Sequence, residues 1–202
     1  MREFLIQGGP VLWAIIGLGL VGFFVFVERG FHLHRARIMS EDFVKGILTI
    51  LKRDNVAEAL TICEETPGPV ARIVKAAILH RGSGRGGIEA AINDTGLSEI
   101  SRLEAKVRIL ATVAQVSPLF GLLGTVLGLV TILGDMEASY WQAEIVTRGL
   151  RMALTTTGAG LTVAILCYVS YNLVAGKIEA LVVDMERASY EVVAFLTGSN
   201  DT

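Results

Sequence analysis

Three long stretches of this chain contain no aspartate, glutamate, lysine, arginine or histidine: Phe4 to Val27, Ile109 to Gly134 and Met152 to Gly176. Each exceeds the ~20 residues needed to cross a hydrocarbon core of about 30 Å. In lipid such a stretch must be helical, because a lone strand would leave its backbone groups unpaired. The same absence excludes chemistry. No acid pair, Ser/His set or HExxH pattern lies in these stretches, so intramembrane proteolysis lacks its machinery and no catalytic residue is assigned. If charge moves through this protein, another molecule must bring the titratable group.

Cysteine and histidine are also scarce. Cys63 and Cys167 are too few for a disulfide framework, and both read as small apolar fillers. His32 and His34 lie two apart beyond the first stretch, with no carboxylate or cysteine cluster beside them. They read as interfacial groups, so neither a metal nor a cofactor is expected. A net charge of −2, with lysines and arginines interleaved among carboxylates, carries no nucleic-acid signal. The run Gly82 to Gly87 lacks the Lys-Ser/Thr of a phosphate loop and follows no strand; it reads as a turn. No internal repeat is visible.

What the chain has instead is apolar mass. Hydrophobic residues make up 52% of it, and the mean hydropathy is +0.56. Glycine stands at 22 of 202 residues, above the roughly 7% of ordinary proteins. The expected fold is all-α: a multi-pass membrane protein with three transmembrane helices. The first is an uncleaved anchor, since Val11 to Val27 is longer than a signal core and no Ala-x-Ala-like site precedes Glu28-Arg29. Of the 18 lysines and arginines, all but Arg2, Arg148 and Arg151 lie between spans one and two or in the tail. The positive-inside rule therefore puts those segments in the cytoplasm and the N-terminus outside.

The expected organisation follows. Residues 1–27 form the outer N-terminus and first span, and 28–108 a cytoplasmic helical domain. Residues 109–134 are span two, 135–147 a short outer loop, 148–176 span three, and 177–202 a cytoplasmic C-terminal helix. Within the large domain, Ser40 caps a helix carrying Phe43, Ile47, Leu48 and Leu51 at helical spacing. Asn55 to Glu65 is a second helix, closed by Thr66-Pro67-Gly68-Pro69. Val70 to His80 is a third. A fourth starts near Ile88 and from about Leu97 runs into span two, with Glu99, Arg102, Glu104 and Lys106 facing water or a neighbouring subunit. Helices this short make a marginal core, so long helices leaving the membrane are expected to support them. Tyr140 and Trp141 fall where an interfacial aromatic belt would lie.

Spans two and three carry small residues in stripes. Gly121, Gly124, Thr125 and Gly128 fall at i, i+3, i+4 and i+7; Ala153, Thr157, Gly160 and Ala164 fall at i, i+4, i+7 and i+11, again one stripe. Such stripes let helix backbones approach closely, and threonine hydroxyls bond across the gap. One reading is helix packing within one subunit, with each threonine bonded to its own preceding turn. The other takes Thr125, Thr155, Thr156 and Thr157 as a polar lining that receives a protonatable side chain from a partner helix.

At these residues the chain resembles the MotA/TolQ/ExbB proton channel family, nearest in pattern to its ExbB/TolQ branch. The blocks are Pro118 to Gly128, Ala153 to Ile165, Tyr171-Asn172 with Lys177-Ile178-Glu179, Thr66 to Val70, and the Glu28-Arg29 exit from span one. The resemblance implies a homo-oligomeric ring, a pentamer, in the bacterial inner membrane, in contact with membrane lipid. Spans two and three would line its pore, with Thr125 and Thr157 matching the family's pore threonines. It also implies a single-span ExbD/TolR-like partner supplying a membrane aspartate, and a TonB/TolA-like transducer that receives the work of the proton-motive force. Some members have a glutamate just before the Ala-Leu of span three; here that position is Met152. Two other readings stay open: a flagellar stator subunit of MotA type, which usually has a further span and a larger cytoplasmic domain, and a membrane scaffold without an ion pathway.

Overall fold

The computed structural model describes residues 9–37, 40–138 and 143–198, and every regular element among them is helical. Helix α1 spans Gly9–Arg37, α2 Ser40–Leu51, α3 Val56–Glu65 and α4 Pro69–Leu79. A 3-10 turn at Arg81–Ser83 leads into α5, Gly84–Ala138, and α6 covers Ala143–Gly198. Among the described residues, three helices (α1, α5 and α6) are long and apolar enough to cross a membrane. The side chains of His32, His34 and Ser40, and the whole of Tyr140 and Trp141, lie outside the described residues. The chain divides into two compact units, Met1–Glu28 with Lys106–Leu173, and Arg29–Ala105 with Val174–Thr202.

In the second unit the short helices are punctuated by residues suited to the task. Asn55 accepts the Glu58 N–H at 3.4 Å and donates to the Glu58 carboxylate at 2.6 Å, closing the first turn of α3. Pro69 occupies the first turn of α4, where its missing N–H costs nothing, and Gly68 before it takes a positive φ of 150°. The core then gathers Val44, Ile47 and Leu51 of α2, Cys63 of α3, and Val74 and Ile78 of α4. Against them pack Ile88 and Ile92 near the start of α5, and Met185, Val192 and Leu196 late in α6. The ends of the two long helices thus complete a core that the short helices could not close alone.

Three details differ from the sequence reading. The glycine run is a turn only as far as Ser83; Gly86 and Gly87 already lie in α5. Burying Ile88 and Ile92 anchors this first stretch of α5 and overrides the poor helix propensity of glycine. Glu99 does not face water. It is 9% exposed and accepts from the half-exposed Arg72 guanidinium at 2.5 Å, so the carboxylate turns inward against a partner of its own chain. In addition, α5 continues to Ala138 and α6 begins at Ala143, so helix occupies the described residues of the segment expected as an outer loop. Hydropathy marks where charge begins, not where backbone hydrogen bonding stops.

Both cysteines are free and buried. Burial pushes the Cys63 thiol up to about 11, with Lys75 pulling the other way and Glu64 adding to the rise. At pH 8 its thiolate should be about a hundredfold scarcer than that of an ordinary thiol. Iodoacetamide labelling followed by mass spectrometry should therefore find Cys63 at least that much slower in the folded protein than after unfolding. The raised value also means that stability is lost as pH climbs from the ordinary thiol range through 11, because the unfolded chain ionises first.

Candidate functional site

In the first unit the glycines report how the three apolar helices run. A Cβ at Gly9 would meet Met152 Cε at 3.0 Å, one at Gly19 Val163 Cγ2 at 3.2 Å, and one at Gly22 Cys167 Sγ at 2.5 Å. Rising numbers on both sides make α1 parallel to α6. Gly22 also faces Val113 and Leu110, and the Lys106 ammonium donates to the Glu28 carboxylate, so α1 is antiparallel to α5. Met152 thus packs toward the start of α1.

The α5–α6 contact is tighter still, because backbone meets backbone. A Cβ at Gly160 would stand 2.6 Å from the Ser117 carbonyl oxygen, and one at Gly128 2.6 Å from that of Gly149. At Gly121 it would lie 3.1 Å from Thr157 Cα, and at Gly124 2.5 Å from Thr156 Cβ. The seam on α6 is therefore Gly149, Ala153, Thr156, Gly160 and Ala164, all buried, with Thr157 half-buried at its flank. One member of the expected stripe changes, Thr156 for Thr157, since i+3 and i+4 both return to the same face and Thr156 fills the notch left by Gly124. On α5 the seam is Ser117, Gly121, Gly124 and Gly128, with Thr125 half-buried beside it.

The hydroxyls divide accordingly. Three consecutive residues on a helix point about 100° apart, so Thr155, Thr156 and Thr157 cannot share one wall. Thr155 is 8% exposed. Thr156 is fully buried, and its hydroxyl returns to the Met152 and Ala153 carbonyls at 2.9 and 3.1 Å. Thr125 donates to the Leu122 carbonyl at 2.6 Å. Thr157 alone among these reaches the other helix, donating to the Gly121 carbonyl at 3.3 Å. That carbonyl is the regular helix partner of the Thr125 N–H, so the two threonines are tied to one turn of α5. Counting about 100° per residue from Val113 and Val163, which face α1, Thr125 and Thr157 each lie about 120° away, on the side turned from α1. Around them the surface is apolar and exposed, as at Leu122, Leu154 and Leu161. Among the described residues no His, Cys, Asp and Glu cluster fit to hold a metal is present.

An all-helical chain with three membrane-length helices, two of them joined through a glycine seam with hydroxyls at its edge, defines a multi-pass membrane protein. A family profile described as the MotA/TolQ/ExbB proton channel family matches residues 65–187, and the chain belongs to that family. It is 26% identical over 174 residues to a Methanothermobacter thermautotrophicus protein named as a candidate ExbB homolog for biopolymer transport, covering 86% of this chain and 62% of that protein. The chain thus spans less than two thirds of that relative's length. Over 85 residues it is 39% identical to the biopolymer transport protein ExbB of Aquifex aeolicus, covering 42% of this chain and 57% of the relative. Over 84 residues it is 38% identical to the Tol-Pal system protein TolQ of Haemophilus influenzae, covering 41% and 37%.

Proposed function

We propose that this chain is the ring-forming subunit of a proton-motive-force-driven motor of ExbB/TolQ type, set in the bacterial inner membrane with the segment 28–108 and the tail in the cytoplasm. Several copies, a pentamer in this reading, surround a pore walled by the α5 and α6 spans. The observation that carries the reading is the pair of half-buried hydroxyls, Thr125 and Thr157, on an exposed wall otherwise free of charge. An uncharged wall passes no proton by titration. It suits a central helix that brings its own carboxylate, as an ExbD/TolR-like partner would, with hydroxyls and water offering it hydrogen bonds. The work then passes to a TonB/TolA-like transducer. The ring subunit itself performs no bond-making chemistry and is not an enzyme.

Co-expression with an ExbD-like protein tests this directly. The two proteins should co-purify, and the complex in liposomes should conduct protons under an imposed gradient. Changing the partner's membrane aspartate to asparagine should bring that flux down to the level of empty vesicles. Flux that survives the change, or a ring that binds no partner, would refute the motor and favour a scaffold.

A further inference from the structure

One polar side chain of the apolar unit has no role in the wall described so far. Gln115 lies within span two, seven residues, or about 10 Å, beyond Arg108. Its side chain is exposed and has no hydrogen-bond partner among the described residues. A glutamine amide offers two donors and an acceptor, and hydrocarbon satisfies none of them. Whatever covers Gln115 in the membrane must therefore be polar.

Its direction identifies the covering. Gln115 is two residues from Val113, so it points about 200° away from the α1 contact, and six residues from Gly121, about 120° from the α6 seam. Ten residues separate it from Thr125, which leaves the two about 80° apart on the same side of α5. That side is the one taken above as the pore wall. One further polar group lines the route. Thr112, exposed and three residues earlier, donates to the Arg108 carbonyl at 2.9 Å and keeps its own lone pairs free.

We propose that Gln115 is a water-binding station on the cytoplasmic half of the pore wall. With Thr112, it holds the waters that carry the proton from the partner's carboxylate toward the cytoplasm near Arg108. The amide is never protonated; it orients the waters, and the proton passes along them. This inference rests on the motor reading, and its test separates the two.

The test uses single cysteines in the assembled complex, read against the unaltered protein, whose own two thiols are buried. A membrane-impermeant cationic thiol reagent, added on the side of segment 28–108, reacts with thiolates, which form only where water reaches. Gln115→Cys should react within about tenfold of Arg108→Cys and at least about a hundredfold faster than Phe24→Cys, on the exposed face of α1. Gln115→Leu should lower partner-dependent proton flux about tenfold with the complex intact, and Gln115→Asn should restore most of it. A Gln115→Cys as unreactive as Phe24→Cys would overturn the proposal and mean that lipid or a neighbouring copy covers the site. Reaction at Cys with unchanged flux in Gln115→Leu would overturn it as well. If the unaltered complex carries no flux, the motor reading fails and takes the station with it, while labelling still tells whether Gln115 faces water.

Discussion

Replacing Gly160 by valine should abolish the assembled complex, and the change to alanine should already weaken it. A Cβ at Gly160 meets the Ser117 carbonyl oxygen at 2.6 Å and the Gly121 backbone at 3.1 and 3.2 Å. None of these atoms is the end of a flexible side chain, so the helices themselves must part. Between membrane helices there is no hydrophobic effect to offset the gap; association rests on close packing and hydrogen bonds. Overpacking a tight site costs on the order of 1–3 kcal/mol, and a branched valine stands at the upper end or beyond. Gly158 supplies the control. It is exposed, and a Cβ there has nothing within 4 Å, so Gly158→Ala should leave the protomer's fold unchanged. Size-exclusion profiles and thermal melting of the detergent-solubilised protein measure both. A Gly160→Val protein that assembles and melts like the parent would show that the seam is not what holds α5 to α6.

How much of this was legible in the sequence follows from which forces act locally. The three spans could be read because length and the absence of charge are decisive in lipid, and α1, α5 and α6 are the helices long and apolar enough. The glycine seam could be read to within one residue. Spacing gave the face of span two, but both i+3 and i+4 fit span three, and only the notch at Gly124 chose Thr156 over Thr157. The sequence places Glu99 toward water or a neighbouring subunit, because its partner, Arg72, lies 27 residues earlier on another helix, where no local pattern reaches. The start of α5 was hidden for a similar reason: a glycine-rich opening is held helical by the long-range burial of Ile88 and Ile92. Gln115 carries no charge, so the absence of charge that marks span two does not set it apart. A lone glutamine inside a membrane span was signal enough.

Thr157→Val should cost little stability and most of the function. Valine keeps the shape of threonine and replaces only the hydroxyl, so the seam beside it is undisturbed. The Gly121 carbonyl loses the 3.3 Å hydroxyl bond but keeps its regular partner in the helix ladder, the Thr125 N–H, so no backbone group is orphaned. The loss of stability should therefore stay near the 0.5–1.5 kcal/mol of a single hydrogen bond. Partner-dependent proton flux should fall at least about tenfold, the consequence of raising a barrier by about 1.4 kcal/mol. Thr157→Ser, which restores the hydroxyl, should recover it. Thr156→Val separates the two roles: its hydroxyl only returns to its own preceding turn at Met152 and Ala153, so it should leave flux near that of the parent. Equal losses in the two valine variants would point to general damage to α6. Full flux in Thr157→Val would remove Thr157 from the pathway and leave its hydroxyl a strut between two helices.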